Sequence, residues 1–180
     1  MKVVSLNIGS KQEVFWKGKA YTTGIFKKSV SGPVFLDKED VEGDAVIDRK
    51  HHGGIEQAVY AYGENHYQYW KDLYPALELN YGFFGENLTL SSLDETTVHV
   101  GDIYLLGETI LEATKPRQPC VKLGIRFQDA KVIKQFWNTS KSGVYFKIVQ
   151  TGKVAIEDEL KLVEKALNSP SIAEVFNSKK

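Results

Sequence analysis

The sequence predicts a mainly β fold, a β-barrel with a few short helices. Three observations predict it. Many short segments are rich in β-branched and aromatic residues, glycine-containing turns separate them at regular intervals, and few stretches have helical spacing.

Val3 to Asn7 opens the chain as a strand. Glu13 to Trp16 and Ala20 to Phe26 follow, punctuated by Gly18 and Gly24. Gly32-Pro33 turns the chain into Val34 to Leu36, and Asp44 to Ile47 reads as another strand. Gln57 to Tyr62 is apolar and aromatic, a strand pattern. The period then changes. His66, Tyr69, Trp70 and Leu73 fall at helical spacing, and Pro75 stops the helix. Glu86 to Leu90 is a strand, and Thr97 to Val100, Asp102 to Leu106 and Thr109 to Thr114 are three more, joined by tight turns at Gly101 and Gly107. Val121 to Phe127 and Ala130 to Trp137 read as short helices. From Gly143 to Gln150, Val144, Phe146 and Ile148 alternate with Tyr145, Lys147 and Val149, which is a strand. Gly152 turns it towards Val154 to Ile156, and Leu160 to Val163 closes the set. Ser169-Pro170 opens a last helix over Ser171 to Phe176. The organisation is one domain over residues 1–165 and a short helical tail over 166–180.

With 180 residues and 42% hydrophobic side chains, the chain can bury a sizeable core. The 23 basic and 23 acidic side chains cancel, which argues against a nucleic acid polymer or an anionic membrane as partner. No apolar run approaches the roughly 20 residues of a membrane span, and the amino terminus lacks the pattern of a secretory signal. A single cysteine forms no internal disulfide, which fits a reducing, cytoplasmic setting. It also excludes a four-cysteine zinc or iron–sulfur site built from this chain alone.

Three clusters carry chemistry. In Asp48-Arg49-Lys50-His51-His52-Gly53-Gly54, four potentially cationic side chains precede two glycines. The glycines let backbone amides approach a ligand, and the histidines can donate to an anion or move a proton. The cluster describes a pocket for a phosphate-like group; a solvated basic turn is the plain alternative. In Lys115-Pro116-Arg117-Gln118-Pro119-Cys120-Val121-Lys122, two prolines stiffen a loop and two cations flank the thiol. Such a setting favours a thiolate, the form that ligates metal or attacks an electrophile, over a buried structural cysteine. In Phe83-Phe84-Gly85-Glu86-Asn87-Leu88-Thr89, Glu86 and Asn87 are candidates to orient a ligand, although Gly-Glu-Asn also reads as a turn into a strand. Tyr60, Tyr62, Trp70 and Trp137 read as core residues rather than electron-transfer relays.

These clusters, in this order, resemble the MOSC domain, named for the carboxy-terminal part of molybdenum cofactor sulfurases. The matching stretches run from Asp48 to Tyr62, from Tyr81 to Thr89, through Val100-Gly101-Asp102, and from Pro116 to Cys120. Overall the chain is most similar to the stand-alone bacterial branch that includes the hydroxylaminopurine-resistance protein. The resemblance implies a MOSC-type β-barrel and a site for the molybdenum cofactor (molybdopterin). It implies that Cys120 supplies a thiolate ligand to molybdenum and that the chemistry is reduction of small N-hydroxylated substrates. Arg49, Lys50, His51, His52, Gly53, Gly54 and Arg117 would then hold the cofactor. Glu86 and Asn87 would hydrogen-bond the pterin or orient substrate, and Cys120, His52 and Glu86 would form the catalytic set. With no flavin or nicotinamide fingerprint, an external electron donor protein is required. Broader relatives carry sulfur as a cysteine persulfide or hold cofactor without turnover, and the family description extends to pyridoxal phosphate binding. A homodimer is compatible with all of this. Longer members of the branch carry a further helical region, of which Ser169 to Phe176 resembles the beginning.

Overall fold

A computed structural model describes residues 1–45 and 54–180. Its strands are β1 (Val3–Gly9), β2 (Gln12–Trp16), β3 (Lys19–Thr23), β4 (Lys27–Val30), β5 (Val34–Leu36), β6 (Val59–Gly63), β7 (Leu88–Leu90), β8 (Ile103–Leu106), β9 (Thr109–Pro116), β10 (Val144–Gln150), β11 (Gly152–Val154) and β12 (Lys161–Glu164). Among the described residues four short α-helices accompany them: α1 (Tyr67–Leu73), α2 (Val121–Phe127), α3 (Lys131–Trp137) and α4 (Ile172–Asn177).

Eight strands form one sheet in the order β12-β8-β9-β10-β6-β7-β1-β4, while β11 pairs with β5 and β2 with β3. Within the large sheet β6 and β7 run parallel and the other pairs antiparallel. The fold is mainly β, but the ladder does not close into a barrel among the described residues: β12 and β4 remain its edges. Discrete contacts link the segment before β12 to the start of β1 instead. Val3 N donates to Asp158 O at 2.9 Å, and Leu160 N donates to Met1 O at 2.7 Å.

Alternation along β10 buries Val144, Phe146 and Ile148 and leaves Val149 exposed, as its sequence requires. The two-residue connection between β8 and β9 depends on Gly107. Its φ is +54°, and a Cβ there would lie 2.6 Å from Lys153 O. One core cluster fills the sheet interior, with Val3, Leu6, Val59, Leu88, Leu111 and Phe146 among its members. A second, aromatic cluster packs the helices against β6, around Tyr62, Trp70, Phe84, Phe127, Phe136 and Phe176. Within it, the Trp70 ring stacks on Phe136 at 5.8 Å, and its Nε1 donates to Tyr62 Oη at 2.8 Å.

Several segments depart from the sequence expectation; among them, Val154 to Ile156, read as a strand after a turn at Gly152, is strand over Gly152–Val154 and turn at Ile156. Thr97 to Val100 is not a strand, because Asp94 and Asp102 capture its backbone: Thr97 N donates to Asp94 O at 3.0 Å and His99 N to Asp102 Oδ2 at 2.8 Å. Ala20 to Phe26 stops as a strand at Thr23, and β4 begins at Lys27. Asp44 and Ala45 are irregular, and Val46 and Ile47 lie outside the described residues. The tail packs onto the body. Ser171 caps α4 in a capping box with Glu174, and Ile172 and Phe176 are fully buried. Among the described residues, no helix is long and apolar enough to cross a membrane.

Candidate functional site

Where β3, β4, β6, β9 and α2 converge, a cleft is lined by Thr23, Gly24, Ile25, Lys27, Asp44, Ala45, Gln57, Ala58, Tyr60, Phe84, Gly85, Asn87, Arg117, Cys120, Lys122 and Tyr145. Its floor is a close meeting of three backbone segments. A Cβ on Gly9 would lie 2.3 Å from Gly24 O, and one on Gly24 would lie 2.2 Å from Ala45 O. Glycine is what allows this approach.

Cys120 is half-buried and caps α2, with Leu123 N donating to its carbonyl at 2.9 Å. Arg117, three residues earlier, is buried at 6% exposure. Its Nη1 donates to Phe84 O, and its guanidinium lies 5.2 Å from the centre of the Tyr60 ring. Burial acts to lower the Arg117 pKa, yet Tyr60, Tyr145 and the Cys120 sulfur outweigh it and raise the value above the ordinary one. Among the described residues, no carboxylate ion-pairs with Arg117. Burial also pushes the Tyr60 and Tyr145 phenols above their ordinary range. Tyr60 Oη donates to Ser142 O at 2.9 Å, and the two tyrosine rings lie 4.9 Å apart.

The opposite wall is a buried polar network. Lys27 and Asp44 form an ion pair with side chains 8% and 4% exposed. Asp44 also accepts from Gly9 N at 2.8 Å and from Asn87 Nδ2 at 2.8 Å. Tyr60 N donates to Asn87 Oδ1 at 3.3 Å. Burial lowers the Lys27 pKa, and the Asp44 carboxylate offsets this only in part.

The structure thus brings Arg117, Cys120 and Asn87 to one cleft. Glu86 is directed elsewhere. It is fully buried behind the wall, where it accepts from Tyr67 Oη, Gly82 N at 2.8 Å, Phe84 N at 3.1 Å and Thr89 Oγ1 at 3.0 Å. Burial raises its carboxyl above the usual range despite those donors. Gly54, with φ +86°, precedes the 3₁₀ turn Ile55–Gln57. Arg49, Lys50, His51, His52 and Gly53 lie outside the described residues. Of the aromatics read as core, Tyr62 and Trp70 are buried in the second cluster and Trp137 packs beside it, whereas Tyr60 also faces the cleft. Sequence reasoning missed Lys27, Asp44 and Tyr145. No local motif marks them: pairing of β4 with β1 carries Lys27 to the cleft, pairing of β10 with β6 and β9 carries Tyr145, and bonds to the Gly9 backbone carry Asp44.

Comparison with known proteins now adds to this geometry. The MOSC domain matches residues 48–161. YflK of Bacillus subtilis (strain 168) is 35% identical over 94% of this chain and 76% of its own length. YiiM of Escherichia coli (strain K12) is 36% identical over 83% of this chain and 69% of its own length. A protein of Gibberella moniliformis (strain M3125 / FGSC 7600) named "Reductase" is 34% identical over 88% of this chain, which spans 28% of that longer protein. The crystal structure of YiiM from Geobacillus stearothermophilus superposes with a TM-score of 0.81 at 34% identity, covering 99% of this chain and 83% of its own. The match over the cleft's central segments and the shared fold make one conclusion plain: the chain belongs to the MOSC domain family.

Proposed function

We propose that this chain binds the molybdenum cofactor in the cleft and reduces N-hydroxylated compounds, with the Cys120 thiolate as a ligand to molybdenum. The observation that carries the reading is the convergence of Cys120 with the buried Arg117, which pairs with no carboxylate among the described residues, on one cleft. The MOSC domain family is associated with binding of the molybdenum cofactor, and one relative is named a reductase.

The side chains fit such a group. A buried guanidinium suits an anionic ligand that brings its own phosphate. Among the described residues, no cluster of three or more His, Cys, Asp or Glu could hold a metal ion. Molybdenum carried on a pterin brings ligands of its own, and the soft Cys120 thiolate would add to them. Cys120 would bind the metal; Arg117, Lys122 and the Gly54 backbone would hold the anionic part. Asn87, fixed by Asp44 and by Tyr60 N, would present its amide to pterin or substrate. Bound there, the cofactor would supply two-electron redox chemistry. The overall reaction, R–NHOH + 2 e⁻ + 2 H⁺ → R–NH₂ + H₂O, draws its electrons from an external donor protein.

The test is turnover by cofactor-loaded protein with a reduced viologen as electron source and a hydroxylamine or amidoxime as substrate. Stoichiometric amine or amidine is the expected product. Lack of turnover at full molybdenum occupancy contradicts the reading. The adjacency of Cys120 and Arg117 also suits a sulfur carrier, since a cation beside a thiol favours persulfide chemistry. That second reading predicts metal-free protein with one extra sulfur on Cys120 by mass spectrometry.

A further inference from the structure

We propose that Lys27 is the acid that protonates the leaving oxygen when an N-hydroxylated substrate is reduced in the cleft, with Asp44 as its positioning residue. The inference rests on the reductase reading above. It goes further by assigning the proton that reduction of an N–O bond consumes.

Three observations support it. The first is placement: Lys27 opens β4, opposite Gly9 in the β1 ladder, and its side chain lines the cleft on the wall facing Arg117. The second is fixation. Asp44 is held through Oδ1 by Gly9 N and through Oδ2 by Asn87 Nδ2, so the carboxylate that anchors the ammonium is itself immobile. The third is the chemistry of the other groups there. Arg117 stays protonated at any working pH. The Tyr60 and Tyr145 phenols are held above their ordinary range, and Asp44 is a hydrogen-bond acceptor. Lys27 is a proton-bearing group whose surroundings, burial above all, move it down towards a useful range. Asp44 and, more weakly, Glu86 favour its charged form, while Arg117 opposes it.

In the step itself the N–O bond breaks and takes up two electrons from the external reductant. The Lys27 Nζ proton goes to the departing oxygen, which leaves as water, and the second proton reaches nitrogen from solvent. Lys27 then regains its proton from water, and the ion pair with Asp44 re-forms.

Lys27→Arg keeps the charge but cannot release a proton. With molybdenum content and KM unchanged, its viologen-driven kcat should fall about 10²- to 10⁴-fold, and the alkaline fall of the wild-type pH–rate profile should vanish. Asp44→Asn guards against misfolding of the arginine variant: losing the carboxylate should move the alkaline fall to lower pH. A readout without cofactor is the ¹⁵N signal of the Lys27 ammonium in the apoprotein. It should titrate below ordinary lysine, and lower still in Asp44→Asn. A Lys27→Arg protein with wild-type turnover and an unchanged alkaline limb overturns the proposal. If loaded wild type itself shows no turnover, the reductase reading falls and this proposal with it.

Discussion

Glu86→Ala is expected to cost on the order of 3–5 kcal/mol of folding stability, the range for unpairing a buried charge or hydrogen-bond hub. The side chain is 0% exposed and gathers four donors from three stretches of chain: Tyr67 Oη, the Gly82 and Phe84 amides, and Thr89 Oγ1. Alanine would leave all four in a volume closed to water. The damage should reach the cleft, because the Phe84 carbonyl anchors Arg117 and Gly85 lines the wall. Glu86→Gln separates charge from packing. Burial raises the Glu86 carboxyl in the folded state, so its stabilising contribution is full below the unfolded carboxylate value. That contribution fades as pH rises through the raised folded value. Urea unfolding from pH 4 upward should show this decline in wild type and its absence in Glu86→Gln. A Glu86→Ala protein as stable as wild type would contradict the account.

Arg117→Met is expected to weaken cofactor retention by about 10²-fold or more, since truncating one member of a buried charge pair costs about 2–5 kcal/mol. Effects on the fold should be smaller. Among the described residues Arg117 gives up its bond to Phe84 O and its contacts with Tyr60, and methionine restores much of the packing. Arg117→Lys should recover part of the affinity, because it keeps the charge but loses the planar fork. Pterin and molybdenum remaining after gel filtration of loaded protein measure the effect. Equal retention in wild type and Arg117→Met would remove Arg117 from the site.

Local chemistry was legible in the sequence where it was decided locally. Helix α2 occupies the predicted span Val121–Phe127 and α3 begins one residue later than expected, because short apolar periods bounded by turns determine both. The stiff Pro-Arg-Gln-Pro-Cys loop does put Arg117 and Cys120 on one cleft. Long-range geometry was not legible. Lys27 and Asp44 are 17 residues apart and meet because both dock on Gly9: Lys27 through the pairing of β4 with β1, and Asp44 through Gly9 N and the bond from Ala45 N to Gly9 O. Glu86 and Asn87 are neighbours in sequence, yet only Asn87 faces the cleft, since successive side chains of an extended segment point opposite ways. Thr97 to Val100 has a strand's composition, but two aspartates capture its backbone. Closure of the sheet depends on edge geometry that strand spacing does not encode, and here β12 and β4 stay apart among the described residues.

The central claim is that Cys120 ligates molybdenum in this cleft. It is tested most directly by metal analysis of wild type and Cys120→Ala, both purified from cells that make the molybdenum cofactor. The account predicts near-stoichiometric molybdenum in wild type and its loss in a Cys120→Ala protein that remains folded. Equal molybdenum in both, or none in folded wild type, would contradict it.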